Sequence, residues 1–148
     1  MLTLLIVVLL GFSTANGVGT PRMDLSRVPF SITEREEVES LIAQEKVMVF
    51  SKSQCPYSKR AKELLKKCNV AFKALEIDLT SSPDYMIHTQ AVLYALTKQS
   101  TVPNIFIGGV HIGGYKNIRQ LQDTGELGAI LNATGVANSL TPPAEGQI

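Results

Sequence analysis

The chain has 148 residues, a formal net charge of +1, two cysteines and two histidines. This length suits one domain with residues left over for a processed end or a tail, and the near-neutral charge speaks against a nucleic-acid binder. Two cysteines are too few for a disulfide-built scaffold, and neither they nor His88 and His111 show metal-ligand spacing, so no protein-built metal site is expected.

Leu2 to Phe12 is an almost unbroken apolar run leading into Ser13-Thr14-Ala15-Asn16-Gly17. This matches the apolar core and cleavage region of a secretory signal peptide, with Ser13 and Ala15 in the small-x-small positions. Residues 1–17 are therefore expected to be removed. The run is too short for a spanning helix, which takes about 20 residues; a short membrane anchor and a buried N-terminal segment are the competing readings. Residues 18–30 are aperiodic, contain Gly and Pro, and read as a linker.

Thr33 and Glu36 have the spacing of a capping box for a helix running to about Gln44. Lys46 to Ser51 has a continuously apolar, β-branched centre, as in a strand covered on both faces. A helix is expected from Pro56, where a missing N–H is harmless, to about Cys68. Phe72 to Asp78 reads as a second strand, and Ser82 to Thr97 as a helix opening on Ser82-Pro83-Asp84. Val102–Ile107, Gly108-Gly109 and Val110–Ile112 form a predicted hairpin with a two-residue turn. Asn117 to Leu131 gives one or two closing helices broken near Gly125, and residues 136–148 read as a flexible tail. The order αβαβαββα predicts an α/β domain over residues 31–135, with a mixed sheet and helices on both faces.

Cys55 stands where a buried strand gives way to a Pro-started helix. A thiolate there faces the unpaired N–H groups of the first turn and the positive end of the helix dipole. Lys52, Lys59 and Arg60 add positive potential nearby, and such surroundings lower a thiol's pKa and make it nucleophilic. Cys68 lies thirteen residues on. Along a continuous helix that is about 20 Å, beyond the roughly 7 Å between Cα atoms that a disulfide tolerates. Ala61, Leu64, Leu65 and Cys68 share one helical face, so Cys68 is expected to be a buried structural residue. Asn132-Ala133-Thr134 is an N-glycosylation sequon, which gains meaning beside a signal peptide.

Three blocks together resemble the glutaredoxin family. Ser51-Lys52-Ser53-Gln54-Cys55-Pro56-Tyr57-Ser58 is similar to its active-site segment, Thr101–Gly109 to its Thr-Val-Pro strand, and His111-Ile112-Gly113-Gly114 to its Gly-Gly turn. The resemblance covers about residues 31–135 and implies a thioredoxin-like fold with a central four-stranded mixed sheet. It implies glutathione as co-substrate and Cys55 as the catalytic nucleophile within a Cys55-Pro56-Tyr57-Ser58 motif. By the same resemblance Lys52 pairs with the glycine carboxylate of glutathione, Gln99 lies near that end, and Tyr57 flanks the tripeptide. Thr101, Val102 and Pro103 form the segment on which glutathione's cysteinyl backbone pairs like an added strand. Gly113 and Gly114 present backbone N–H groups to the γ-glutamyl carboxylate.

Three positions depart from the family pattern. Ser58 stands where dithiol members carry a second cysteine. Lys116 stands where many members have an acidic or Ser residue facing the γ-glutamyl ammonium, and Ser100 where many have a basic one. The implied function is monothiol reduction, or formation, of mixed disulfides between glutathione and proteins or small thiols. The alternatives are a dimer holding a [2Fe–2S] cluster through glutathione and a luminal binding domain of low activity. Pro56 speaks against the cluster, because cluster-binding relatives usually have Gly or Ser there. The expected location is the secretory lumen or the exterior, with no membrane span in the mature form.

Overall fold

The computed structural model describes residues 23–80 and 82–140. The signal-peptide reading of residues 1–17 lies outside this range, as do residues 18–22 and 141–148. The elements are α1 (Ile32–Gln44), β1 (Val47–Ser51), α2 (Pro56–Lys67), β2 (Lys73–Glu76), α3 (Pro83–Thr97), β3 (Asn104–Ile107), β4 (Val110–Gly113), α4 (Tyr115–Asp123) and α5 (Glu126–Ala133). The sheet runs β2-β1-β3-β4, with β1 parallel to β2 and both other pairs antiparallel. This is the mixed four-stranded sheet of a thioredoxin-like fold.

Alternation of side chains across the pleat explains the layers. On β1, Val47 and Val49 face a core shared with Leu64 and Leu65 of α2, Ile118 of α4 and Leu131 of α5. Met48 and Phe50 face the opposite core, built with Val38 of α1 and Val92 of α3. On β3, Ile105 and Ile107 point to the first core and Phe106 to the second, where its ring meets Phe50 edge-on at 6.0 Å between centroids. Burial on both faces gives β1 and β3 their unbroken apolar reading in the sequence.

Several boundaries differ from expectation. The capping box of α1 starts two residues earlier: Ser31 Oγ accepts from the Glu34 N–H at 3.1 Å, and Glu34 Oε2 accepts from the Ser31 N–H at 2.6 Å. Ser31 and Glu34 have the same spacing as Thr33 and Glu36, so the pattern alone does not choose between them. β2 ends at Glu76, because Asp78 turns away to bind Ser53. β3 begins at Asn104, after a cis Val102–Pro103 peptide. The closing segment is two helices, parted at Gly125 (φ 79°), and the first of them opens at Tyr115. The hairpin turn has Gly108 and Gly109 at φ 58° and 79°, the left-handed pair that a two-residue primed turn requires.

The segments on either side of the domain also carry structure. Leu25, within the expected linker, is buried in a single 3-10 turn against α3. After Gly135 the chain does not leave the domain, as the tail reading had it, until at least residue 140. Val136 is buried, the Ser139 N–H donates to the Cys68 carbonyl at 2.8 Å, and Leu140 packs on the first core. An apolar period cannot be seen in five residues, so two anchoring side chains leave little trace in the sequence.

Ending the chain at Gly135 exposes the surface that Val136 and Leu140 cover. Burying one such side chain fully is worth about 1.5–3 kcal/mol, so urea unfolding of the shortened chain should show a loss of about 2 kcal/mol.

Candidate active site

Cys55 is the N-cap of α2, in extended conformation, and its side chain makes no capping hydrogen bond. Its backbone closes a turn from Lys52, with the Cys55 N–H donating to the Lys52 carbonyl at 3.1 Å. The side chain is half-buried, and Sγ lies 3.7 Å from the carbonyl oxygen of Val102. A nucleophile at a helix start and the segment before β3 thus meet from positions 47 residues apart.

The Cys55 thiol is held below its ordinary pKa. Partial burial is the largest influence and works against the charged form. The Ser58 hydroxyl, the backbone N–H groups of Ser58 and Tyr57, and the charge of Lys52 together outweigh it. These are the donors that the head of a helix supplies. Of the three cations near Cys55 in the sequence, Lys52 is the one whose charge acts on the sulfur, whereas Arg60 lies over the Tyr57 ring at 5.7 Å. Ser58 is fully buried, and its Oγ also accepts a long bond from the Lys52 N–H at 3.5 Å.

The loop between β1 and Cys55 is fastened to the sheet. Asp78 accepts from the Ser53 N–H at 2.9 Å and from the Ser53 hydroxyl at 2.6 Å, and its carboxyl is held below the usual range chiefly by that hydroxyl. The strand register, rather than a local sequence pattern, sets up this contact. β1 and β2 run parallel with Ser51 opposite Glu76, so Ser53 and Asp78 leave the sheet at the same edge.

Lys52 Nζ donates to Gln90 Oε1 of α3 at 3.1 Å. Gln90 was absent from the sequence reading, which placed Gln99 at this end. Gln99 lines the groove beside Cys55, but its amide donates to the carbonyls of Thr101 and Pro103 at 2.9 and 2.8 Å. Its job is to hold the Thr101–Pro103 loop. Gln90 lies on α3 and Gln99 two residues past its end, and side-chain reach decides between them.

The Gly-Gly turn is also engaged within the fold. The Gly114 N–H is taken by Asn117 Oδ1 at 3.1 Å, and a Cβ on Gly113 (φ 113°) would meet that oxygen at 2.6 Å. The N–H groups left without an intrahelical partner at this end are those of the first turn of α4, at Tyr115 and Lys116. Asn117, unassigned in the sequence reading, sets this geometry. Lys116 is exposed and lines the groove, as does Tyr57, whose ring is tilted against Tyr115 at 6.2 Å.

Gln99, the Thr101–Pro103 segment, Tyr57, Gly114 and α4 line one open groove of about 1000 Å3, which adjoins Cys55 at Val102. Cys68 is buried at the far end of α2, where burial raises its thiol pKa. Asn132 is exposed on the last turn of α5 and does not line the groove; its Oδ1 accepts from Asn138.

Comparison with known proteins gives the arrangement its family. Residues 47–112 match the glutaredoxin family model. Glutaredoxin-C2 of Arabidopsis thaliana is 41% identical over 100 residues, a match covering 68% of this chain and 87% of that protein. The chain belongs to the glutaredoxin family. Monothiol glutaredoxin-S12, chloroplastic, of the same plant is 41% identical over 109 residues, covering 74% of this chain and 60% of that longer protein. A buckwheat glutaredoxin–glutathione complex superposes with a TM-score of 0.65 at 34% identity, covering 70% of this chain and 91% of that one.

Ser58→Ala removes the hydroxyl that donates to the thiolate and leaves the backbone donors in place. The alkylation rate of Cys55 with iodoacetamide should rise with pH around a midpoint below that of an ordinary thiol. In Ser58→Ala the midpoint should move upward, because a bond made only to the charged form is lost.

Proposed function

We propose that this protein reduces mixed disulfides between glutathione and other thiols by a monothiol route through Cys55. The observation that carries the reading is the half-buried Cys55 thiol, lowered in pKa at the head of α2 and set against the Val102 backbone. The residues around it fit glutathione. Lys52 with Gln90 offers a cation and an amide for the glycine carboxylate, and Val102 offers backbone groups for the cysteinyl unit. The first turn of α4 offers N–H donors for the γ-glutamyl carboxylate.

The Cys55 thiolate attacks the glutathione sulfur of a mixed disulfide. A bond forms between Sγ and that sulfur, the original S–S bond breaks, and the other thiol leaves as a thiolate that takes a proton from water. The thiolate of a second glutathione then attacks the glutathione sulfur on Cys55. Oxidised glutathione departs and the Cys55 thiolate returns. Ser58 cannot compete for the intermediate, having no sulfur, and Cys68 is out of reach at the other end of α2. The net exchange is reversible, so the ratio of reduced to oxidised glutathione sets whether target thiols are freed or capped.

We further infer that the mature protein acts in the secretory lumen or outside the cell. The support is the apolar run at Leu2–Phe12 with its small-residue boundary, together with the exposed sequon at Asn132 away from the groove. Among the described residues no helix is long and apolar enough to cross a membrane.

Cys55→Ser should abolish reduction of a small glutathione mixed disulfide in a coupled assay, with thermal unfolding near that of the parent protein. Cys68→Ser should keep turnover and lose about 1–3 kcal/mol of stability by placing a hydroxyl in the core. Expressed in a eukaryotic cell, the chain should lose about 15–17 N-terminal residues and enter the secretory pathway; intact mass and endoglycosidase digestion read both outcomes.

A further inference from the structure

We infer that the groove continues beyond the glutathione positions into a docking surface for the protein half of the mixed disulfide, and that it selects acidic segments. The inference rests on the oxidoreductase reading. The groups suited to glutathione all lie around Cys55, Val102 and the first turn of α4. The groove goes on along α4 through Arg119 and Gln120 to Asp123 and Thr124, about 12 Å beyond Tyr115. Its volume of about 1000 Å3 stands at the upper end of the range for drug-sized ligands, about 300–1,000 Å3. An extended chain attached to the glutathione sulfur has this space open to it.

The charges left unpaired there are positive. Asp123 is the one carboxylate among the described residues lining the groove, and both its oxygens are held by Arg119 Nε, at 2.9 and 3.1 Å. Lys116 on the wall and Arg60 over the Tyr57 ring make no ion pair among the described residues. Tyr57, with Arg60 over its ring, and Tyr115, next to Lys116 in the chain, form an aromatic surface beside these two cations. Aromatic area for the stems of a partner and two unmatched cations at its edge fit an extended segment with Asp or Glu beside its glutathionylated cysteine.

The test uses two glutathionylated peptides of equal length, one flanked by Glu and one by Lys, and a small glutathione mixed disulfide as reference. Two exposed cations, each worth a factor of about 1.5–5, give the Glu-flanked peptide an advantage in kcat/KM of about 2–25-fold at low ionic strength. The advantage should fade at 1 M salt, where the screening length is about 3 Å. Gln120 lines the extension and is unassigned in the glutathione site. Gln120→Glu should slow the acidic peptide and Gln120→Lys should speed it, each by about 1.5–5-fold, with the small disulfide unchanged. Equal rates for the two peptides, or shifts of the same sign in both variants, would overturn the docking inference alone. Failure to reduce the small disulfide would overturn the oxidoreductase reading, and the docking surface with it.

Discussion

A half-buried thiolate persists only where hydrogen-bond donors are brought to it, and much of the domain between β1 and α4 serves that requirement. Burial opposes the charge on Cys55 and is the largest single influence on it. The opposing groups come from one turn of one helix, the N–H groups of Tyr57 and Ser58 and the Ser58 hydroxyl, with Lys52 adding a longer-range charge. Pro56 helps by starting the helix with a preset φ, and its missing N–H is one that the first turn would leave without an intrahelical partner. The local sequence and the helix geometry thus make the same demand.

Placing the sulfur is a tertiary matter. β1 is buried on both faces, so its register cannot slip by one residue without reversing two cores. A fixed β1 sets where α2 begins, and the Ser53–Asp78 bonds keep the intervening loop from swinging. On the other side, Gln99 ties the carbonyls of Thr101 and Pro103. Thr97 Oγ1 ties the end of α3 to that loop in turn, accepting from the Gln99 N–H at 3.1 Å. The approach of Val102 to Cys55 therefore depends on two independently fastened loops.

This division explains what the sequence made legible. The strand and helix order, the burial of Cys68, the hairpin turn and the place of Cys55 all follow from local signals: continuous apolar runs, a Pro at a first helical position, an i, i+3, i+4, i+7 stripe and a Gly-Gly pair. Gln90, Asp78 and Asn117 were not legible, because each acts on a partner distant in sequence or across a turn, and polar side chains of their kind are common on surfaces. Ser31 and Glu34 were missed for another reason: two capping boxes overlap in Ser31–Glu36, and the local pattern is satisfied by either. The anchoring of residues 136–140 rests on two apolar residues, too few to make a period.

The departures from the family pattern bear differently on chemistry and on selectivity. The groups facing Cys55 and the groove are mostly backbone: the Val102 carbonyl, the N–H groups of Tyr57 and Ser58, and the first-turn amides of α4. Backbone groups do not change when a neighbouring side chain does, so Lys116 and Ser100 alter the charge around the site without removing these groups. Ser58 shows the same economy in a side chain. A hydroxyl at this buried position donates to the thiolate, and it cannot close a disulfide on Cys55. Stabilising the thiolate and resolving an intermediate are separable tasks, and at Ser58 this sequence retains the first without the second.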